Sequence, residues 1–310
     1  MKTDFKSKLE LTRYYADEDN CKKLLAQQRW GDTPACPHCG NAGKIYVTNR
    51  GYKCGEKTCY KKFTVTTGTI FEHTRIPLNK WFEGIFVISA HKKGISSHQL
   101  AKDIDVSQKT AWFILHRVRE MLKANTPEIL EEGTVEVDET AVGGKEGNKH
   151  KKLRNRANKG TGFVGKTMVM GVLHRDGKVW TKVVPDTTKK TLQPIVRNTV
   201  GKKVTLITDT AGGYAGLNKE YHHETVNHTK DEYVRGEYHT NGIEGYWSLL
   251  KRGIIGIYHQ VSPKHLQRYC DEFSYRYNSR KITDVDRFTR VLTHCEGKLT
   301  WNRLTEKEQK

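Results

Sequence analysis

The chain has 310 residues, which is long for one domain and enough for two or three. It carries 54 Lys plus Arg against 35 Asp plus Glu, a net charge of +19. This charge argues against an ordinary near-neutral metabolic enzyme and favours a polyanionic partner, with nucleic acid the first candidate. Apolar stretches such as residues 85–88 are far shorter than the ~20 residues that span a bilayer, and no hydrophobic signal core opens the sequence. We therefore expect neither a membrane partner nor secretion.

Four of the seven cysteines form two pairs, Cys36 with Cys39 and Cys54 with Cys59, with 14 residues between the pairs. Paired cysteines on two turns are typical of a tetrahedral Zn²⁺ site. The second pair is wider than the commonest spacing, and ordinary reduced cysteines are the alternative. Four sulfur ligands leave no open position, so the pattern predicts one structural Zn²⁺. The metal would order a segment that has too few apolar residues to fold alone.

A short helix, a tight turn and a longer helix are predicted between residues 96 and 122. Ser96 or Ser97 can cap the first helix and Ser107 the second, which should begin at residue 108. This order is typical of a helix-turn-helix, although a plain helical packing unit has the same pattern. The second helix should expose polar side chains that can reach base edges or phosphates. The candidates for this contact are Gln108, Lys109 and Arg117.

Residues 143–166 form a basic loop with eight Lys or Arg and one Glu, a net charge of +7. A solvated surface loop is the alternative. We favour an arm that follows a phosphate backbone, because such a dense cluster of like charges is neutralised by phosphates. The candidate contacts in this loop are Lys149, Lys151, Lys152, Arg154 and Arg156.

From residue 135 onward, strand and helix patterns alternate. Residues 168–173 and 179–184 should form a hairpin around an Asp-Gly turn. Residues 204–208 are nearly all apolar or β-branched, which is typical of a buried parallel strand. Helices are predicted near residues 191–200, from about residue 241, and from residue 263. The order of elements predicts an α/β layer fold.

Three acidic residues are predicted on these elements. We expect Asp138 at the end of the first strand, Asp209 at the end of the buried strand, and Glu244 on the helix near residue 241. Neighbouring carboxylates repel one another unless a cation neutralises them, and Mg²⁺ and Mn²⁺ prefer oxygen ligands. Two such ions roughly 4 Å apart can activate a water and stabilise a leaving 3′ oxygen, which is the chemistry of phosphodiester cleavage.

Each of these acids has a structural alternative. Asp138 could point to solvent, Asp209 could be a turn residue before glycines, and Glu244 could close a capping box with Asn241 as the cap. Lys251 favours the catalytic interpretation because it lies two helical turns after Glu244, on the same face, where a cation can hold a phosphate. Further candidates are Arg252 for DNA contact, and His239 and Asn241 for contact with a metal or its waters.

Five sequence segments carry a resemblance to a known family. They are CPHCG, YKC followed by KKFTVTTGTIFEHTRIPLNKW, VEVDETAVGG, LITDTAGGY and HTNGIEGYWSLLKRG, which span residues ~34 to ~280. The chain resembles insertion-sequence transposases of the zinc-ribbon DDE type, the ISXO-like group, whose eukaryotic relatives are called Merlin. The 34 residues between Asp209 and Glu244 are close to the family's spacing. Some members have Asn at the last acidic position, where this chain keeps Glu.

The resemblance implies an α/β fold with an RNase H-like catalytic domain preceded by a small zinc ribbon and a helix-turn-helix domain. Asp138, Asp209 and Glu244 are the implied catalytic triad and hold two Mg²⁺ or Mn²⁺ ions. The implied activity is cleavage of double-stranded DNA at terminal inverted repeats and joining of the 3′ ends to target DNA. The expected assembly is a homodimer or larger synaptic complex. The expected location is cytoplasmic and nucleoid-associated, or nuclear in a eukaryotic host.

The predicted organisation has five parts. They are a helical lead-in at 1–33, a zinc ribbon at 34–76, a helix-turn-helix at 77–124, a catalytic domain at 134–282 and a helical tail at 283–310. Two alternative functions remain open. The chain could be a DNA-binding regulator or domesticated transposase without activity, or it could be another RNase H-like nuclease.

Overall fold

The computed structural model describes residues 5, 7–123, 129–144, 165–210, 212–226 and 238–306. The helices are α1 (Lys8–Tyr14), α2 (Glu18–Trp30), α3 (Leu78–Ala90), α4 (Ser97–Asp103), α5 (Gln108–Met121), α6 (Lys189–Thr199), α7 (Asn241–Gly253), α8 (Pro263–Asn278), α9 (Asp284–Leu292) and α10 (Trp301–Thr305). The strands are β1 (Ile45–Thr48), β2 (Gly51–Cys54), β3 (Lys62–Phe63), β4 (Thr134–Val142), β5 (Thr167–His174), β6 (Lys178–Val184), β7 (Thr205–Asp209) and β8 (His222–Val226).

The chain divides into two compact units. The first comprises Met1–Leu122 with Lys281–Lys310, and the second comprises Lys123–Arg280. The predicted C-terminal tail contains α9 and α10, and α9 packs against α3 within the first unit. No helix in the described part of the chain is long and apolar enough to cross a membrane.

Strands β1, β2 and β3 of the first unit form a small antiparallel sheet in that order. Gly51 begins β2 with φ of 133°, and a Cβ there would lie 2.6 Å from the carbonyl oxygen of Phe63. Only glycine therefore allows this close approach of β3. Phe63 stacks on Tyr52, and Trp30 at the end of α2 packs edge-on against both rings.

Helices α4 and α5 occupy the positions predicted for them. Ser96 Oγ accepts a hydrogen bond from the backbone N–H of Gln99, and Ser107 Oγ accepts one from Thr110. Of the two candidates for the first cap, Ser96 is the N-cap and Ser97 begins the helix. Ser107 is the N-cap of α5 as predicted. Both serine oxygens satisfy amides that have no partner within the first turn. Between the helices, the chain turns at Asp105, which has a positive φ of 50°.

The second unit is a five-stranded sheet with helices on both faces. The strand order is β6-β5-β4-β7-β8; β4, β5 and β6 pair antiparallel, whereas β4, β7 and β8 pair parallel. One face packs on α6 through Val135, Val137 and Leu192. The other face packs on α7 and α8 through Val169, Trp247 and Phe273. The predicted α/β layers and the predicted strands and helices of this region are confirmed, and β8 is added at the sheet edge.

Candidate metal centres and catalytic site

The four paired cysteines converge at one end of the small sheet. Their sulfur atoms all lie within 4.8 Å of one another. The Sγ atoms of Cys36 and Cys59 are 3.8 Å apart, and those of Cys39 and Cys54 are 3.6 Å apart. A tetrahedral Zn²⁺ with Zn–S bonds of about 2.3 Å holds its sulfurs about 3.8 Å apart. The cluster therefore fits zinc, and the wider spacing of the second cysteine pair does not distort it.

Strand pairing places the two predicted aspartates side by side. Strands β4 and β7 run parallel, with Val137 opposite Thr208. One residue further along, Asp138 and Asp209 are neighbours on adjacent strands and point to the same face of the sheet, because side chains alternate along a strand. Val135 and Val137 pack on the α6 face, so Asp138 and Asp209 point toward α7.

Helix α7 brings Glu244 to the same face. Trp247, three residues further along the helix, donates a hydrogen bond from Nε1 to Oδ2 of Asp138 over 2.9 Å. Gly171 lies opposite Asp138 on β5, and a Cβ there would be 2.7 Å from the ring of Trp247. Asp138 does not point freely to solvent, which excludes the first structural alternative. The capping box with Asn241 is also absent, because Thr240 is the N-cap residue of α7.

The three carboxylates interact electrostatically. Burial raises the pKa of Asp138 from 3.8 to about 6, and the charges of Asp209 and Glu244 raise it as well. Among the described residues, the three acids are not packed closely enough to ligate one ion together as the four cysteines are. Ligands at opposite ends of two ions about 4 Å apart lie as much as about 8 Å from each other.

A fourth acid, Glu136, was not predicted from the sequence. It is only 1% exposed and lies on the same face of β4 as Asp138. Its carboxylate accepts a hydrogen bond from Arg175 Nε over 2.9 Å and another from the backbone N–H of Ile243 over 2.9 Å. Glu136 thus accepts from an amide in the first turn of α7, just before Glu244, where a negative charge also favours the helix dipole. A Cβ on Gly242 would lie 2.8 Å from this carboxylate, which explains the glycine.

The second-rank candidates lie at the start of α7. His239 is half-buried, with Nδ1 3.6 Å from Oε1 of Glu136, and Asn241 is exposed. Lys251 and Arg252 are exposed at the other end of the helix. The structure therefore brings His239 to the Glu136 carboxylate, and it places the two cations where an approaching phosphate could reach them.

Glu139 points to the opposite face of β4. There it accepts a hydrogen bond from the hydroxyl of Tyr214. Burial raises the pKa of Glu139 to about 8, a shift that the Tyr214 hydrogen bond opposes and the charges of Asp138 and Asp209 reinforce. Asp138 and Glu136 therefore face α7, and Glu139 is a half-buried neighbour on the other side of the sheet.

Helix α5 is exposed along only part of the face that was predicted to read DNA. Gln108 and Lys109 are exposed in its first turn. Arg117 is half-buried and donates from Nε to the carbonyl oxygen of Leu299 over 3.1 Å. Burial lowers its pKa. Arg117 is thus a packing residue here, and its contact with DNA stays a prediction. The basic-loop candidates Lys149, Lys151, Lys152, Arg154 and Arg156 lie outside the described residues.

Comparison with known proteins identifies the family. Residues 131–278 match the ISXO2-like transposase domain, and residues 16–62 match the transposase zinc-ribbon domain. An uncharacterized protein in the transposable element ISH50 of Halobacterium salinarum is 30% identical over 275 residues, which cover 84% of this chain and 91% of that protein. The chain belongs to the ISXO2-like transposase family. The match to the zinc-ribbon domain covers all four clustered cysteines.

Two further matches are shorter or weaker. A transposase-like protein of Haemophilus influenzae is 31% identical over 106 residues, or 34% of this chain and 85% of that protein. A pre-cleavage Mos1 transpososome is one structural match, with 14% identity, 65% coverage of this chain and 75% of that one. Its TM-score of 0.24 is too low to establish a shared fold for this member of the family.

Proposed function

We propose that this transposase binds the terminal inverted repeats of its element, cleaves DNA there and joins the 3′ ends to target DNA. The observation that carries the proposal is the meeting of three acids at one sheet face. Asp138 and Asp209 are neighbours on parallel strands, and Glu244 comes from the helix that packs over them. In a chain of this family with a net charge of +19, such a site is suited to a polyanionic substrate.

The second unit supports an RNase H-like catalytic domain. Its sheet has three antiparallel strands followed by two parallel ones, with Asp138 on the central strand and Asp209 at the end of its parallel neighbour. In the first unit, α4 and α5 support a helix-turn-helix, because a short capped helix, a tight turn and a longer helix follow in order.

Asp138, Asp209 and Glu244 would hold two Mg²⁺ or Mn²⁺ ions. Such ions activate a water and stabilise the charge on a leaving oxygen. The chain's own residues set up the ligands. Trp247 orients the Asp138 carboxylate, and Glu136 with Arg175 holds the end of α7 that carries Glu244. Lys251 and Arg252 would position the DNA backbone.

The cysteine cluster would hold one structural Zn²⁺, since its four ligands leave no open position. Elemental analysis of the purified protein should find one zinc per chain. A metal-free preparation with an intact ribbon would contradict this assignment. Cys39→Ser should release the zinc and disorder residues 34–63, while Mn²⁺ binding by the acidic site persists.

The protein would act on double-stranded DNA as a homodimer or larger complex, because two element ends have to be brought together before they are joined. In a bacterial host such a complex would be nucleoid-associated. The assembly can be measured by light scattering with and without the end DNA.

The test is cleavage and strand transfer on the DNA that flanks the gene, with Mg²⁺ or Mn²⁺. Asp138→Asn, Asp209→Asn and Glu244→Gln keep the side-chain shape but remove a charged ligand, so each should keep DNA binding and lose cleavage by orders of magnitude. Glu220→Gln is the matched control, because Glu220 is an exposed acid that pairs with Arg197 and Lys202. It should cleave as the wild type does.

The other outcomes distinguish the alternatives. Specific binding without any cleavage by the wild type would indicate a regulator. Hydrolysis without strand transfer would indicate another type of nuclease. Full strand transfer by Glu244→Gln would show that the third carboxylate is misassigned.

A further inference from the structure

A cavity borders the predicted DNA-reading face of α5. Lys109, Phe113 and Arg117 lie four residues apart and therefore share one face of the helix. All three line a cavity of 280 Å³, together with Trp81 of α3 and Trp301 of α10. The face of α5 that was predicted to enter a DNA groove thus forms one wall of this cavity.

Trp301 covers this face. Its ring lies 5.5 Å from that of Phe113 and 5.7 Å from that of Trp112, edge-on to both. A recognition helix enters the major groove through an uncovered face, because the groove is only slightly wider than a helix with its side chains. The central part of α5 is therefore not open to a DNA groove, as the face of a simple recognition helix would be.

The chemistry of the lining is that of a nucleotide site. The rings of Trp81, Phe113 and Trp301 form much of the wall, and Arg75, Lys109 and Arg117 supply positive charge. None of the described residues that line the cavity is Asp or Glu. The ammonium of Lys109 lies 4.7 Å from the centre of the Trp301 ring. Aromatic faces bind nucleobases by stacking without regard to sequence, and the adjacent cations suit the flanking phosphates.

We propose that this cavity receives one unstacked nucleobase of the bound DNA, with Lys109 and Arg75 on the neighbouring phosphates. The proposal rests on the proposed DNA binding and specifies how the α5 face takes part in it. Stacking against Trp301 would offset the loss of pairing and stacking that the base suffers on leaving the duplex.

The test uses full-length protein and duplexes of the DNA that flanks the gene. In each duplex one nucleotide is replaced by an abasic site, so that the opposite base has no pairing partner. Extrusion of an unpaired base costs less. At one position the wild type should therefore bind roughly tenfold more tightly than it binds the intact duplex.

Trp301→Leu should abolish this gain, because leucine keeps an apolar contact with Phe113 but has no face for stacking. Trp301→Phe should retain part of it. Trp180→Leu is the matched control, since Trp180 is a partly buried tryptophan of the second unit, and the gain should persist in that variant. Thermal unfolding of each variant checks that the fold is kept.

Three results would overturn the proposal. The first is tight binding of the intact duplex with no gain at any abasic position, and the second is a gain that survives Trp301→Leu. The third is uniformly tighter binding of all duplexes by Trp301→Leu, which would show that Trp301 is a cover over an ordinary recognition helix. All three leave DNA binding itself intact. Absence of specific binding by the wild type would instead refute the proposed function.

Discussion

The carboxylate of Asp138 lies in an environment that disfavours its negative charge. Burial raises its pKa from 3.8 to about 6, and Asp209 and Glu244 add their repulsion. Trp247 opposes the shift by donating a hydrogen bond. A divalent cation would neutralise this repulsion, so the electrostatic cost of bringing the acids together would favour metal binding.

The raised pKa predicts a pH-dependent stability. The folded state keeps the Asp138 proton to higher pH than the unfolded chain does, so this group's contribution to the free energy of unfolding falls as pH rises from about 4 to about 6. The shift corresponds to roughly 3 kcal/mol. Asp138→Asn has no charge to bury, so without added Mg²⁺ or Mn²⁺ it should be more stable than the wild type at pH 7 and gain little at pH 4.

Urea denaturation of both proteins between pH 4 and pH 8 measures this difference. Asp186→Asn is a control that should change stability in the opposite direction. Hydrogen bonds from Thr191 and Thr188 lower the pKa of Asp186, so removing its charge should lower the free energy of unfolding at neutral pH. An Asp138→Asn variant less stable than the wild type at pH 7 would contradict the account of Asp138.

Glu136 shows that a positioning acid can be as buried as any core residue. Glu136→Gln keeps the shape but removes the ion pair with Arg175 and weakens the hydrogen bond from the Ile243 amide. We expect a loss of about 2–3 kcal/mol in the free energy of unfolding and weaker Mn²⁺ binding in calorimetry, with DNA affinity retained. Glu220→Gln is the control, because Glu220 is an acid that pairs with Arg197 and Lys202. It should change stability far less, since both of these partners are exposed. Equal effects of the two substitutions would refute the positioning role.

Sequence reasoning proposed Asp138, Asp209 and Glu244 because acids near the ends of strands and helices are visible in the pattern. Asp209 does end β7, whereas Asp138, expected at the end of a strand, lies in the middle of β4. It missed Glu136, which alternation alone presents as one more polar residue of a half-exposed strand. Its partners, Arg175 and Ile243, are distant in the chain, so the ion pair and helix contact depend on packing. The valines at 135 and 137 pack on the α6 face, and nothing local in the sequence shows that α7 covers the opposite face, where Glu136 lies.

At the scale of the element, α7 is held by a close approach to α8. Gly253 ends the helix, and a Cβ there would lie 1.9 Å from Phe273, whereas Gly245 has open space around its Cα. Gly253 is thus required for packing and Gly245 is not. Glycine-to-alanine substitution at these two positions of one helix should therefore change stability in opposite directions.

Gly253→Ala should destabilise the protein by about 1–3 kcal/mol, because Phe273 has to shift in a filled core. Gly245→Ala should stabilise it by up to about 1 kcal/mol, since alanine is the better helix former. Chemical denaturation of both variants measures the difference. The packing account fails if Gly253→Ala is neutral or stabilising.

At the scale of the whole molecule, the net charge of +19 predicts DNA binding that weakens steeply with salt, because each phosphate contact releases counterions. Removing residues 145–159 should flatten the dependence of log affinity on log salt while sequence preference remains. A loop of equal length with its cations replaced by serine is the control and should act like the deletion. Filter binding at several salt concentrations measures both quantities. Loss of preference with an unchanged slope would reverse the roles of loop and helix.

The sequence by itself determined the local elements and indicated the candidate ligands. Serine caps, alternating valines and cysteine spacing are read over a few residues, and the structure confirms α4, α5 and the strands of the second unit in the predicted places. These features are local because helix and strand periods are set by the backbone.

Tertiary structure alone decided what lies against those elements. Trp247 reaches Asp138, Glu136 holds the first turn of α7, and Trp301 covers α5 from nearly the other end of the chain. Each contact joins residues more than 100 positions apart and depends on the shapes of two surfaces that meet only after folding. Periodicity shows which face of an element is buried, whereas the partner of that face is chosen by close packing of the whole chain.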